Sequence, residues 1–237
     1  MSKVILLSCE HAVNTVPEPY QYLFGDFSNL LESHRGIDFG ALTIAEHLQE
    51  QLSCTLIQAH ATRLLIDCNR SINHRSCFSE VTSHLDQLTK QHIIDVYYTP
   101  YRQQIINLIS NYVKQGVQVI HLSIHSFTPV MDGTIRNADI AFLYDPKRQE
   151  EQFLAKRWNI ELKKINPAYR IRMNYPYQGI SDGLTTALRK QFAPHQYLGV
   201  EIESNQALTQ NVHQLTTLKI ILAESLLKAK LDILRLN

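Results

Sequence analysis

The sequence predicts a single-domain α/β fold with a central, mixed but mostly parallel sheet flanked by helices. Two observations lead there. Apolar runs of strand length alternate with stretches whose apolar residues recur at helical spacing. No internal repeat, low-complexity tract or Pro/Gly-rich linker divides the chain, so residues 1–237 read as one unit. With 237 residues, 44% of them hydrophobic, such a unit can bury a sizeable core.

The elements follow in order. Val4–Ser8 is a short apolar run that stops at polar residues, as a buried strand does. The next thirty residues contain Pro17, Pro19, Gly25 and Gly36 and read as a long loop with little regular structure, a feature usually tied to function. From Phe39 onward Leu42, Ala45, Leu48 and Leu52 keep helical spacing. Thr55–Ala59 and Leu64–Asp67 read as short strands, and Asn69 to Thr82 is polar and aperiodic. A helical pattern then begins, is interrupted at Pro100 and continues through Ile105, Ile106, Ile109 and Val113, with Gly116 where a C-cap is wanted.

Val117–Ile124, rich in β-branched residues and leading into His125, is the strongest strand signal. Asp139–Tyr144 is another strand, followed by a turn and a helix carrying Leu154, Trp158 and Leu162. Ala168–Met173 reads as a strand, Gly183–Gln191 as a short helix and Tyr197–Glu203 as a further strand. A long helix from Val212 puts Leu215, Leu218, Leu222, Leu226, Ala229 and Ile233 on one face, which suits packing on the sheet or against another chain.

Charge and cysteine usage narrow the class. The balance is 23 Lys+Arg against 22 Asp+Glu, a net charge of +1, which argues against a basic nucleic-acid or membrane-surface binder. The apolar run at the N-terminus is four residues long, shorter than a signal peptide needs, and no stretch approaches a membrane span. The four cysteines, Cys9, Cys54, Cys68 and Cys77, have no paired spacing and read as reduced thiols. A cytoplasmic location is therefore expected.

In open α/β sheets ligands collect beyond the carboxyl ends of the strands. Three predicted strands end in residues that bind metal or move protons: Ser8-Cys9-Glu10-His11, Ser123-Ile124-His125-Ser126 and Glu201-Ile202-Glu203-Ser204-Asn205. His34 and Asp38 lie between the first two, just before a helix. Two imidazoles and a carboxylate form the ligand set of a catalytic zinc, and a further carboxylate serves as general base. Asp38 also suits the positive end of the helix it precedes, and His34 is open as ligand or partner. Glu201 and Glu203, two apart, face the same side of their strand, which is costly to bury without a cation or donors.

Arg63 and Arg70 flank Leu64–Asp67, with Asp67 and Asn69 sharing a face. Arg70 is a candidate fork for a substrate carboxylate, while Arg63 equally fits an internal pair with Asp67. The turn-rich loop containing Asn174, Tyr177 and Gly179 fits either a pocket wall or a well-packed turn.

Taken together, Ser8-Cys9-Glu10-His11-Ala12, His34 with Asp38 and Gly40, Arg63 to Arg70, Ile124-His125-Ser126-Phe127-Thr128-Pro129, Asn174 to Gly179 and the carboxylates around Glu203 resemble the N-formylglutamate amidohydrolase family, in order along nearly the whole chain. The resemblance implies a phosphorylase/hydrolase-like (zinc carboxypeptidase-like) α/β fold and zinc-dependent hydrolysis of an amide or formamide. It places the metal on His11, Asp38 and His125 and the catalytic carboxylate on Glu203, with Glu201 as its rival. Arg70, Arg136, Asn69, Asn174 and Tyr177 are implied to meet a small substrate carrying a carboxylate. The pattern is also similar to that of zinc-dependent peptidoglycan amidases. The first motif departs from the Pro-His-Ser-Gly of formylglutamate-specific members, so reaction type transfers better than substrate. Two other classes compete: a thiol hydrolase using Cys9 with His11, and a ligand-binding protein without catalysis.

Overall fold

The computed structural model describes residues 2–233, with side chains through Lys230. Its first strand is β1, Lys3–Cys9. The following segment is not structureless, as the sequence suggests, but contains 3-10 turns at Glu18–Leu23 and Gly25–Phe27 and a single turn of helix, α1, Ser28–Leu31. Tyr20 and Phe24 are buried on this stretch and anchor it locally.

Next come α2 (Ala41–Leu52), β2 (Thr55–Gln58), α3 (Gln87–Ile93) and α4 (Thr99–Lys114). A π-helical turn, Ile94–Tyr98, joins α3 to α4. Pro100 lacks an N–H and sits in the first turn of α4, where that loss is tolerated, so helical structure passes it with one wide turn. Gly116 adopts φ of 72° just beyond α4.

The rest of the chain comprises β3 (Gln118–Phe127), a small hairpin of β4 (Val130–Met131) and β5 (Thr134–Ile135), β6 (Ile140–Leu143), α5 (Gln149–Ile165), β7 (Ile171–Met173), α6 (Leu184–Gln191), β8 (Tyr197–Asn205), α7 (Gln206–Thr209) and α8 (Val212–Ile233).

Six strands form one sheet in the order β2-β1-β3-β8-β6-β7. All neighbours are parallel except β6 and β8, which run antiparallel, so the sheet is mixed and mostly parallel as expected. Every residue of β3 is buried, as a central strand covered on both faces must be.

One face packs on α2, α5 and α8 through Ile44, Leu48, Leu154, Trp158, Leu222 and Leu226. The other packs on α4 and α6 through Tyr101, Ile105, Ile109 and Leu188. The stripe of α8 is thus used within the fold; its last predicted member, Ile233, has a side chain outside the described residues. Among the described residues no helix is long and apolar enough to cross a membrane.

One predicted strand is absent. Leu64–Asp67 forms turns: the Leu65 N–H donates to the Thr62 carbonyl, and Thr62 Oγ1 accepts from the Leu64 N–H. That side chain captures backbone which a ladder would need. Leu64, Leu65 and Ile66 are apolar because they are buried in the core under a loop.

Candidate metal centre

The carboxyl ends of β1, β3 and β8 open into a cavity of about 550 Å³. His11 lies just beyond β1 and His125 near the end of β3. Asp38 arrives from the loop before α2 and is tied to the first motif by its own N–H, which donates to the His11 carbonyl at 3.1 Å. Gly40 lets the chain turn sharply there, with φ of 75°; a Cβ would come within 2.7 Å of Thr209 Cβ.

Asp38 Oδ2 is the meeting point. It lies 3.1 Å from His11 Nδ1 and 2.9 Å from His125 Nδ1. The imidazoles' other nitrogens face further carboxylates: His11 Nε2 is 2.8 Å from Asp67 Oδ1, and His125 Nε2 is 2.9 Å from Glu10 Oε2. Arg63 donates to both Asp38 (3.3 Å) and Asp67 (2.9 Å), so the internal Arg63–Asp67 pair read as one alternative is formed. Ser123 Oγ donates to Glu10 Oε2 at 2.6 Å and Tyr101 Oη to Oε1 at 2.9 Å.

Burial would raise the carboxyls of Glu10, Asp38 and Asp67, but the imidazoles, joined by Arg63 at the two aspartates and Ser123 at Glu10, hold all three far below the usual range. Burial would likewise lower His125, and its bonds to Asp38 and Glu10 outweigh that and push it well above an ordinary histidine.

This donor set fits a divalent cation. Each imidazole is bracketed by two carboxylates, and without a cation only an imidazolium can donate to both. With Nε2–H donating to Asp67 and to Glu10, each Nδ1 lone pair faces Asp38 Oδ2, which is the usual way an outer carboxylate orients a metal-binding histidine. One ligand atom each from His11, Asp38 and His125 lies within 4.8 Å of the others. The Nδ1–Oδ2 separations, 3.1 and 2.9 Å, are a few tenths of an ångström shorter than the roughly 3.4 Å between ligands of a tetrahedral zinc, so a small outward shift of these side chains would admit an ion.

Glu203 stands on β8 level with His125, is 5% exposed, and its Oε2 has no hydrogen-bond partner among the described residues. Burial, with Asp38 and Glu201 adding repulsion and His125 offsetting part of it, pushes its carboxyl up to about 8. Glu201 also lines the cavity, but its Oε1 accepts from Thr185 Oγ1.

The remaining expected residues divide. Arg70, Asn69 and Tyr177 line the cavity, as does His34, although His34 stands apart from the His11–Asp38–His125 cluster. Arg70 Nη1 donates to the Asp182 carbonyl at 2.6 Å, and Asn69 Oδ1 accepts from the Leu184 N–H, fixing the start of α6. Arg136 is outside the lining, with its guanidinium 5.0 Å over the Tyr177 ring. Asn174 is also outside it. Its Oδ1 accepts from the N–H groups of Tyr144 and Gly179 and so holds the turn.

The Cys9 alternative fails on geometry: the thiol is fully buried among the α2 side chains, does not line the cavity, and is pushed well up by burial. Sequence reasoning missed Glu10 as a partner of His125. The available signal was a carboxylate at the end of an apolar strand, too costly to bury alone.

The family model described as N-formylglutamate amidohydrolase matches residues 4–209. The gene product Atu2144 from Agrobacterium tumefaciens has a similar structure, with 30% identity, a TM-score of 0.84, and coverage of 98% of this chain and 92% of that one. N-formylglutamate amidohydrolase from Ralstonia eutropha JMP134 shares the fold at 18% identity and a TM-score of 0.71, covering 97% of this chain and 94% of that one. No curated protein matches the sequence. The family match runs from β1 through the whole of β8 and α7, and the chain therefore belongs to the N-formylglutamate amidohydrolase family of amide-hydrolysing enzymes.

Proposed function

We propose that this chain is a zinc-dependent amidohydrolase that cleaves the amide or formamide of an N-acylated amino acid bearing a carboxylate. The observation that carries the reading is the convergence of His11, Asp38 and His125 beside a buried carboxylate, Glu203, with a partnerless oxygen. The three clustered residues would hold the metal through two imidazole nitrogens and one carboxylate oxygen, a set that suits zinc and accommodates other first-row metals. When bound, such an ion supplies a Lewis acid that polarises the scissile carbonyl and makes water more acidic, toward a pKa of about 7.

The chain's own residues do the rest. Glu203, ionised and facing the cavity, takes a proton from the attacking water as the C–O bond forms, then returns it to the nitrogen as the C–N bond breaks. Its raised carboxyl pKa favours holding that proton between the two steps, and a cation held on His11, Asp38 and His125 would lower the value toward that of a working base. Glu201, tied to Thr185, is the less available of the two carboxylates. Arg70 presents a positive group on the cavity wall and orients the carbonyl by holding the substrate carboxylate. Asp67 and Glu10 keep the two imidazoles turned toward Asp38.

Metal analysis of the purified chain, run beside hydrolysis of N-acyl amino acids including N-formylglutamate, tests this. One zinc per chain is expected, with turnover abolished by a chelator and restored by zinc. Turnover unchanged in thoroughly metal-free protein overturns it.

A further inference from the structure

Beside the His11–Asp38–His125 cluster the cavity holds two buried donors that neither the cluster nor Glu203 uses. Ser126 follows His125 on β3, and Gln206 opens α7 just past the end of β8. Both line the cavity, and they are 6% and 3% exposed. The Ser126 backbone N–H donates to Asp38 Oδ2 at 3.3 Å, the oxygen that meets both imidazoles. Ser126 is therefore one hydrogen bond away from a proposed metal ligand.

The turn that carries Gln206 is fixed by its neighbour. Asn205 Oδ1 accepts from the Ala207 N–H at 2.9 Å, and Asn205 Nδ2 donates to the Ala138 carbonyl at 2.7 Å. Gln206 Nε2 in turn donates to Ser126 Oγ at 3.1 Å. With that lone pair taken, the Ser126 hydroxyl hydrogen has no acceptor among the described residues. Buried donors are rarely left unmade, so this one is suited to an acceptor that enters the cavity.

The chemistry of the donor narrows that acceptor. Asp38, Glu201 and Glu203 around it can only accept when ionised, and Arg63 is already shared between Asp38 and Asp67. A substrate carboxylate carries its charge from the start and is better met by a cationic fork such as Arg70. An amide oxygen is neutral when it binds and gains charge only as water adds to the carbonyl. A neutral, pre-aligned donor stabilises that transition state more than the bound substrate.

We propose that Ser126, aligned by Gln206, donates to the oxygen of the scissile carbonyl and holds it as it becomes an oxyanion. Ser126 is then a further catalytic residue, acting without any covalent bond to substrate, and Gln206 a positioning residue behind it. This rests on the amidohydrolase reading and deepens it.

The test uses the zinc-loaded enzyme with the N-formyl and N-acetyl derivatives of glutamate and aspartate. Ser126→Ala, which keeps the backbone bond to Asp38, is expected to lower kcat by about 10²–10³-fold with little change in KM. Its zinc content and melting temperature stay at wild-type values, and Ser126→Thr, which keeps a hydroxyl, recovers most of the rate. Gln206→Met loses less, and adds little to Ser126→Ala when the two are combined. Calorimetry gives a readout without turnover, using the N-methylphosphonyl analogue of the preferred amino acid, whose tetrahedral phosphorus imitates the intermediate. Its affinity falls in Ser126→Ala by the factor lost in kcat/KM, while that of the free amino acid is unchanged. An undiminished kcat in Ser126→Ala, a loss confined to KM, or a loss explained by missing zinc overturns the proposal and leaves the amidohydrolase reading standing. No turnover of any of these compounds by the wild-type enzyme overturns both.

Discussion

His125 and Glu203 occupy the same rung of the β3–β8 pairing, so two adjacent parallel strands present an imidazole and a carboxylate side by side at the sheet's carboxyl edge. Because Glu203 has a buried, partnerless oxygen, its effects on chemistry and on stability separate. Glu203→Gln is expected to keep wild-type metal content and lose about 10²–10⁴-fold in kcat. Its folded pKa of about 8 lies above the ordinary 4.5, so the folded chain holds more protons and wild-type stability falls as pH rises from 4.5 to 8. In metal-free protein, thermal unfolding of Glu203→Gln is expected to show less of this decline. A wild-type melting temperature equally flat over that range would contradict the assignment.

Asp38 touches both imidazoles and Arg63, so Asp38→Asn removes one proposed ligand and the charge that unites the cluster. The variant is expected to purify with far less than one metal per chain and to show no turnover. Removing one partner from a buried ionic group typically costs about 3–5 kcal/mol, which a denaturant titration of the metal-free protein would read.

Glu10 and Asp67 never reach the proposed ion, yet each orients one of its histidines. Glu10→Gln and Asp67→Asn are expected to weaken metal affinity by roughly 10–100-fold, measured by competition with a chelator of known strength. Unchanged affinity in both would mean that the imidazoles hold their orientation without them.

His121 provides a pH test away from the ligands. It is fully buried between Ser8 Oγ and Tyr197 Oη, each at 2.7 Å, and burial lowers its pKa to about 4. The unfolded chain binds this proton first on acidification, so the contribution is intact above 6.5 and is lost as pH falls toward 4. The full effect is on the order of 3 kcal/mol. The acid-side loss of stability is expected to be shallower in His121→Gln.

Arg70 is held by the Asp182 carbonyl on one side, while its own carbonyl accepts from Tyr98 Oη and Arg102 Nη1. Arg70→Lys keeps the charge but loses the planar fork, and is expected to raise KM by roughly tenfold with a smaller change in kcat. A change confined to kcat would move Arg70 from substrate binding to the chemical step.

Much of this fold was legible because its signals are local. Val117–Ile124 and Tyr197–Glu203 announced the central strands, and the spacing of Leu218, Leu222 and Leu226 announced the last helix. The 64–67 segment misled because a buried loop and a buried strand share an apolar composition, and only hydrogen-bond partners distinguish them. Asn174 and Arg136 stand outside the cavity lining, where Asn174 holds a turn through backbone N–H groups and Arg136 ties together neighbouring side chains, work that polar loop residues do as readily as binding a ligand.

The sequence by itself determined the alternation of strands and helices, the strand ends where His11, His125 and Glu203 stand, and the reaction class that the ordered motifs resemble. Tertiary structure alone decided which outer carboxylate reaches which imidazole: Asp67 meets His11 from 56 residues away, and Glu10 meets His125 across the β1–β3 pair. The physical reason is that periodicity reports which face of an element is buried, whereas contacts between distant segments depend on sheet order and loop paths that no local pattern encodes.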